Sequence, residues 1–214
     1  MAKLLSWFLC LALILGGIGC GGKRRDARKP PPPQEASVLP APALPTYANP
    51  DEMVLEESFR GRSSSAMEVA NLSDRMLAEG SSTFSNQKTM ARLDILLSKS
   101  LESAPKEVRY RLLRNLGIIH YHQNKFSLAR QELQQANELY PKDARTHFYL
   151  AKLAAQNGNI YQSKGLSKKA KGQFTLATNE LELARKLEPS NSLYRQDVKK
   201  LIQKERPLAT DLKK

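Results

Sequence analysis

Tyr110 to Asp143 reads YRLLRNLGIIHYHQNKFSLARQELQQANELYPKD, and the spacing inside it decides the fold. Over Arg111 to Gln123, Leu113, Leu116, Gly117 and His120 fall on one side of a helix; Phe126, Ala129, Leu133 and Ala136 do the same on a second. Two antiparallel helices follow. Gly117 and Ala129 sit where the backbones come closest, because only small side chains let ridges and grooves mesh at that distance. Pro141 has no backbone N–H and biases Tyr140 away from helical angles, so it ends the second helix.

The series Leu116-Gly117, Ala129, Leu133, Ala136, Pro141 resembles the tetratricopeptide repeat (TPR). Leu113 stands where that family prefers Trp, and His120 where it prefers Tyr; both still pack. The resemblance implies an all-α fold: a short TPR-like α-solenoid of antiparallel helical hairpins with a C-terminal capping helix, preceded by a disordered Pro-rich linker.

Proline spacing extends the pattern in both directions. Pro105 to Pro141 is 36 residues, close to one repeat, and Pro141 to Pro189 is 48, a repeat of about 34 with an insertion of about 14. In the unit 144–189, Leu150 and Ala151 take the Leu-Gly places, and Ala177, Leu181, Ala184 and Pro189 repeat the later series. The insertion 159–172 either lengthens both helices or forms a basic loop, and helices meeting near Gly165 are the favoured reading. A degenerate hairpin is expected over 64–104, a repeat over 110–143, and a capping helix over 190–205 with Ser190 as its cap. Together these make a helical domain over 51–206, followed by a tail, 207–214.

Met1 to Gly19 carries Lys3, an apolar run from Leu4 to Leu15, and small residues before Cys20. This resembles a bacterial lipoprotein signal peptide (1–19), with Gly19 meeting the demand for a small residue before the cysteine and Gly17 departing from the usual leucine. The resemblance implies cleavage, diacylglycerol on the Cys20 sulfur and a further acyl chain such as palmitate on the new amino group, a stable attachment. Gly21 supplies no acidic retention cue, so the expected place is the periplasmic side of the outer membrane. The competing reading is an uncleaved inner-membrane anchor. A helix over Leu4 to Gly19 spans roughly 24 Å, short of the roughly 30 Å hydrocarbon core, whereas the basic cluster Lys23 to Lys29 favours a cytoplasmic flank.

The segment 20–50 holds eight of the twelve prolines and reads as a semi-rigid spacer reaching roughly 90 Å when extended. Its cysteine is the last in the chain; Cys10 is the other. Cleavage would leave one and exclude an internal disulfide.

The formal charge of +13 and pI near 9.8 call for acidic partners. Chemistry is harder to find. His120 and His122 point to different sides of a helix, His147 stands apart, and no phosphate loop, nucleophile elbow or acid-base carboxylate pair is present. No enzyme, metal or cofactor is expected.

By resemblance, the first helix of each unit lines a concave groove. The residues beside the packing stripe are then Arg111, Arg114, Asn115, Tyr121, Arg145, Phe148, Tyr149 and Lys152, with Ile118, His122 and Gln156 beside them. Guanidinium forks beside flat rings suit an acidic or carboxylate-ended extended peptide. The expected function is that of a lipid-anchored periplasmic adaptor docking envelope proteins during cell-envelope assembly. The alternative is a polyanion binder using Lys164 to Lys171 on anionic lipid, lipopolysaccharide or a cell-wall polymer, with nucleic acid ranked low.

Overall fold

Most helix starts among the described residues are set by a short polar side chain. Asn49 accepts from the Asp51 N–H and Pro50 takes the first position of α1 (Pro50–Phe59). Ser65 and Glu68 close a reciprocal capping box on α2 (Ala66–Met76). After a 3-10 turn at Ser82–Ser85, Asn86 caps α3 (Gln87–Glu102). Pro105 precedes α4 (Lys106–His122), and a tight turn leads to α5 (Phe126–Leu139). Asp143 caps α6 (Ala144–Ser163), a second tight turn leads to α7 (Ser167–Leu187), and Asp197 caps α8 (Val198–Lys204). This computed structural model describes residues 49–205, which hold these eight α-helices and no strand. The expected signal peptide, Cys20, nearly all of the expected linker and the tail lie outside the described residues.

The two tight turns are the same turn. Asn124 donates to the Tyr121 carbonyl at 3.0 Å and Lys125 to the His120 carbonyl at 2.8 Å. Gly165 donates to Gln162 at 3.0 Å and Leu166 to Tyr161 at 2.9 Å. Asn124 and Gly165 are left-handed, with φ 61° and 71°. This paired bonding satisfies the last carbonyls of a helix while reversing the chain. Gly117 precedes Asn124 by seven residues and Ala151 precedes Gly165 by fourteen; the second arm is lengthened by seven as well. The insertion is therefore helix on both sides, nearly two turns each, and both helices keep their inward faces.

The hairpin contacts follow from small residues. A Cβ placed on Gly117 would come 2.6 Å from Leu133 Cγ and 3.2 Å from the Ala129 carbonyl oxygen. One heptad beyond Ala151, Gly158 lies in the same way against the Phe174 ring. Across hairpins, α2, α4, α6 and α8 make successive contacts, while α3 packs on α4, α5 on α6 and α7 on α8. Leu93, Leu112, Ile119, Leu133, Leu153 and Leu201 fill the space between.

Two boundaries differ from expectation. Pro50 is not the last linker residue but the first of α1, which packs on α2 and α3 through Leu55. The last described helix begins at Val198, where a capping helix is expected from Ser190. Asn191 closes its own turn by accepting from the Leu193 N–H, and Tyr194 is buried against Phe148 with ring centroids 5.1 Å apart.

Candidate functional site

α4 and α6 lie side by side, and the predicted groove residues stand on them in two clusters. At the first, Asp74 of α2 accepts from Arg111 Nε at 3.0 Å, from Asn115 Nδ2 at 2.6 Å and from Arg114. Asn115 also donates to Ser73 Oγ at 2.7 Å. Arg114 turns its other amino group to Asp143 at 2.6 Å, and that carboxylate's second oxygen caps α6 through Thr146. One guanidinium thus ties α2, α4 and the start of α6. Burial opposes charge on both partners, but the facing charges win: Asp74 is held below the usual carboxylate range and Arg114 above its own ordinary value.

The second cluster is aromatic. Lys152 Nζ lies 4.6, 4.9 and 5.6 Å from the ring centroids of Tyr121, Tyr149 and Phe148. It is 3.7 Å from Glu205 just past α8, which also accepts from the Tyr121 hydroxyl. Tyr149 donates to Glu79 at 3.0 Å, and His122 meets the same hydroxyl at 3.2 Å while stacking on Phe84. Burial lowers the Lys152 ammonium despite Glu205 and Glu79, and raises both phenols. Burial also pushes His122 down to about 4, with Lys152, Arg145 and Lys204 adding to the effect, so its imidazole is neutral.

The eight groove residues are therefore brought together, but not as an open groove. Arg114, Asn115, Tyr121, Phe148, Tyr149 and Lys152 are buried, and Arg111 and Arg145 half-buried. Arg111, Arg114 and Lys152 do meet carboxylates, and these belong to the same chain: Asp74, Asp143 and Glu205, with Glu79 on Tyr149. Arg145 donates to the Leu77 carbonyl oxygen. Ile118 is core, and His122 and Gln156 are half-buried.

What stays open is a cleft of about 530 Å³ at the start of α6. Arg114, Asp74 and Asp143 line it together with Lys142, Arg145, Tyr140, Glu188 and Tyr194. Lys142 has no ion pair among the described residues. The described lining contains no His, Cys, Ser or Thr, so the cleft offers charge, hydrogen bonds and ring faces. Comparison with protein-family models, curated proteins and solved structures finds no match for this chain.

The other histidines bind helices together. His120 sits between Glu132 at 2.6 Å and Asp94 at 3.3 Å, and His147 between Glu180 at 2.6 Å and the Pro141 carbonyl at 2.8 Å. Among the described residues no set of His, Cys, Asp and Glu is arranged to hold a metal ion. Sequence reading missed Lys142, Tyr194 and the four partner carboxylates. Only Asp143 carried a signal, as an acidic residue three before Thr146 at a helix start.

Proposed function

We propose that this chain is a lipid-anchored, tetratricopeptide-type adaptor of the bacterial cell envelope, held at the periplasmic side of the outer membrane through acylated Cys20. In this reading α2 with α3, α4 with α5 and α6 with α7 are three units of a short solenoid, and α8 covers the last apolar face. The observation that carries it is the side-by-side run of α2, α4, α6 and α8, with small residues at the hairpin crossings. Such a run presents one continuous surface, and it supports holding a partner rather than transforming a substrate.

The cleft beside Arg145 is the docking point. Lys142 and Arg145 supply positive charge at its rim, and the exposed Tyr140 supplies flat contact area, a combination suited to an acidic, extended envelope-protein segment. A photo-crosslinking residue at Tyr140, activated in the native bacterium, is expected to capture a small set of envelope proteins. The combined changes Lys142→Glu and Arg145→Glu should abolish that capture. Capture that persists in the charge-reversed chain would refute the docking point. Anchoring is tested separately by the mass of the mature amino-terminal peptide: an acylated Cys20 supports it, and a chain beginning at unmodified Met1 refutes it.

A further inference from the structure

The two hairpin tips share one turn but differ in charge. At the α4–α5 tip the lone lysine, Lys125, is 3.9 Å from Asp94. The α6–α7 tip carries Lys164, Lys168, Lys169 and Lys171, all exposed and none in an ion pair among the described residues. No acidic residue occurs anywhere from Ala144 to Asn179. Lys169 lies 5.8 Å over the Tyr161 ring, and Leu166, at the apex, is 41% exposed. The two inserted heptads carry this apex roughly 10 Å further from Ala151 and Ala177 than the shorter tip lies from Gly117 and Ala129, at about 1.5 Å per residue.

We propose that the α6–α7 tip is a contact site for an anionic membrane surface. Four unpaired lysines within two turns of an apex favour any anion, so shape and apolar content decide among them. The apex is convex, and it offers an apolar side chain at its most exposed point with long amphipathic lysines around it. A planar bilayer accepts this arrangement: Leu166 enters the headgroup layer while the lysine stems lie along it and their ammonium groups meet phosphates. A rod-shaped polyanion would gain nothing from the exposed leucine. The inference does not depend on the cleft or on Cys20, so it can fail or hold while the adaptor reading does the opposite.

The chain contains a single tryptophan, Trp7, outside the described residues. In the full chain carrying Trp7→Phe and Leu166→Trp, the tip holds the sole tryptophan; Ser167→Trp is a second reporter should the first disturb folding, as read by circular dichroism. Vesicles of phosphatidylcholine and phosphatidylglycerol in equal parts are expected to shift its emission to the blue, whereas pure phosphatidylcholine vesicles leave it unchanged. Each Lys→Gln change at 164, 168, 169 or 171 should weaken the response about fivefold. Salt at about 1 M, where screening reaches only about 3 Å, should remove it. Unchanged emission while the protein sediments with the anionic vesicles would assign binding to the amino-terminal segment and overturn the proposal. An equal shift with neutral vesicles, or a response to short duplex DNA at lower phosphate concentration than to vesicles, would overturn it as well.

Discussion

Gly158 of α6 lies against the ring of Phe174 on α7, so closely that a Cβ at residue 158 would overlap the ring edge. Gly117 meets Leu133 in the same manner in the preceding hairpin. In both places the missing side chain lets two helices approach until their large apolar residues interlock.

Replacing either glycine should therefore overpack its hairpin. Gly117→Val and Gly158→Val are each expected to destabilise the domain by about 1–3 kcal/mol in chemical denaturation. Phe174→Leu should recover part of the loss in the Gly158→Val chain and none in the other. Gly172, also within α7, has open space where its Cβ would stand. Gly172→Ala should stabilise by about 0.5–1 kcal/mol through helix propensity alone.

His120 and His122 should give stability opposite slopes with pH. Burial disfavours charge on His120, but the hydrogen bonds and charges of Asp94 and Glu132 outweigh it and raise the group to about 9. Its contribution is whole below the unfolded value near 6.5 and is lost as pH climbs through 9, amounting to about 3 kcal/mol at most. His147, raised by its hydrogen bond to Glu180, acts in the same direction. His122, depressed to about 4, contributes above 6.5 and loses that contribution as pH falls from 6.5 towards 4. Melting temperatures recorded from pH 4 to 10 should peak near neutrality. His120→Gln should flatten the alkaline limb and His122→Gln the acid limb.

Arg114→Met should cost about 3–5 kcal/mol, because Asp143 would be left buried without its countercharge. The double change Arg114→Met with Asp143→Asn should cost less than the single one, since Asn still caps α6 and carries no charge. A double-mutant cycle by urea denaturation reads the coupling.

Leu201→Ala should loosen α8 selectively. That side chain is the buried anchor of a seven-residue helix whose following residue, Glu205, covers Lys152. Brief treatment with an amine-acylating reagent should modify Lys164 but spare Lys152 in the unaltered chain. In the variant both should react, with little change in the main melting transition.

The sequence made the middle of this fold readable because its determinants are local. Gly117, Ala129 and Pro141 announce α4 and α5 within 34 residues, and Gly165 marks the reversal between α6 and α7. α1 went unread because its single buried apolar residue, Leu55, leaves little periodicity, although Asn49-Pro50-Asp51-Glu52 is a helix start. The closure of the groove lay further out of reach. Asp74 comes 40 residues before Arg114, and Glu205 comes 84 after Tyr121. Nothing in local spacing reveals which carboxylate will reach which cation once hairpins stack. The carboxylates of Asp74, Asp143 and Glu205 reach Arg111, Arg114 and Lys152 from within the chain, and only tertiary packing decides that.

A seven-residue step closes nearly two helical turns, so extending both arms of a hairpin by that step leaves every inward position inward. Arm length is consequently decoupled from facing: the outer part of α6 and α7 is a projecting boom whose reach can be altered in paired heptads without re-solving the packing beneath it. Excising 158–164 and 166–172 together should return a stub that keeps its Gly165 reversal, whereas removing one arm alone would leave unmatched turns hanging past the end of their neighbour.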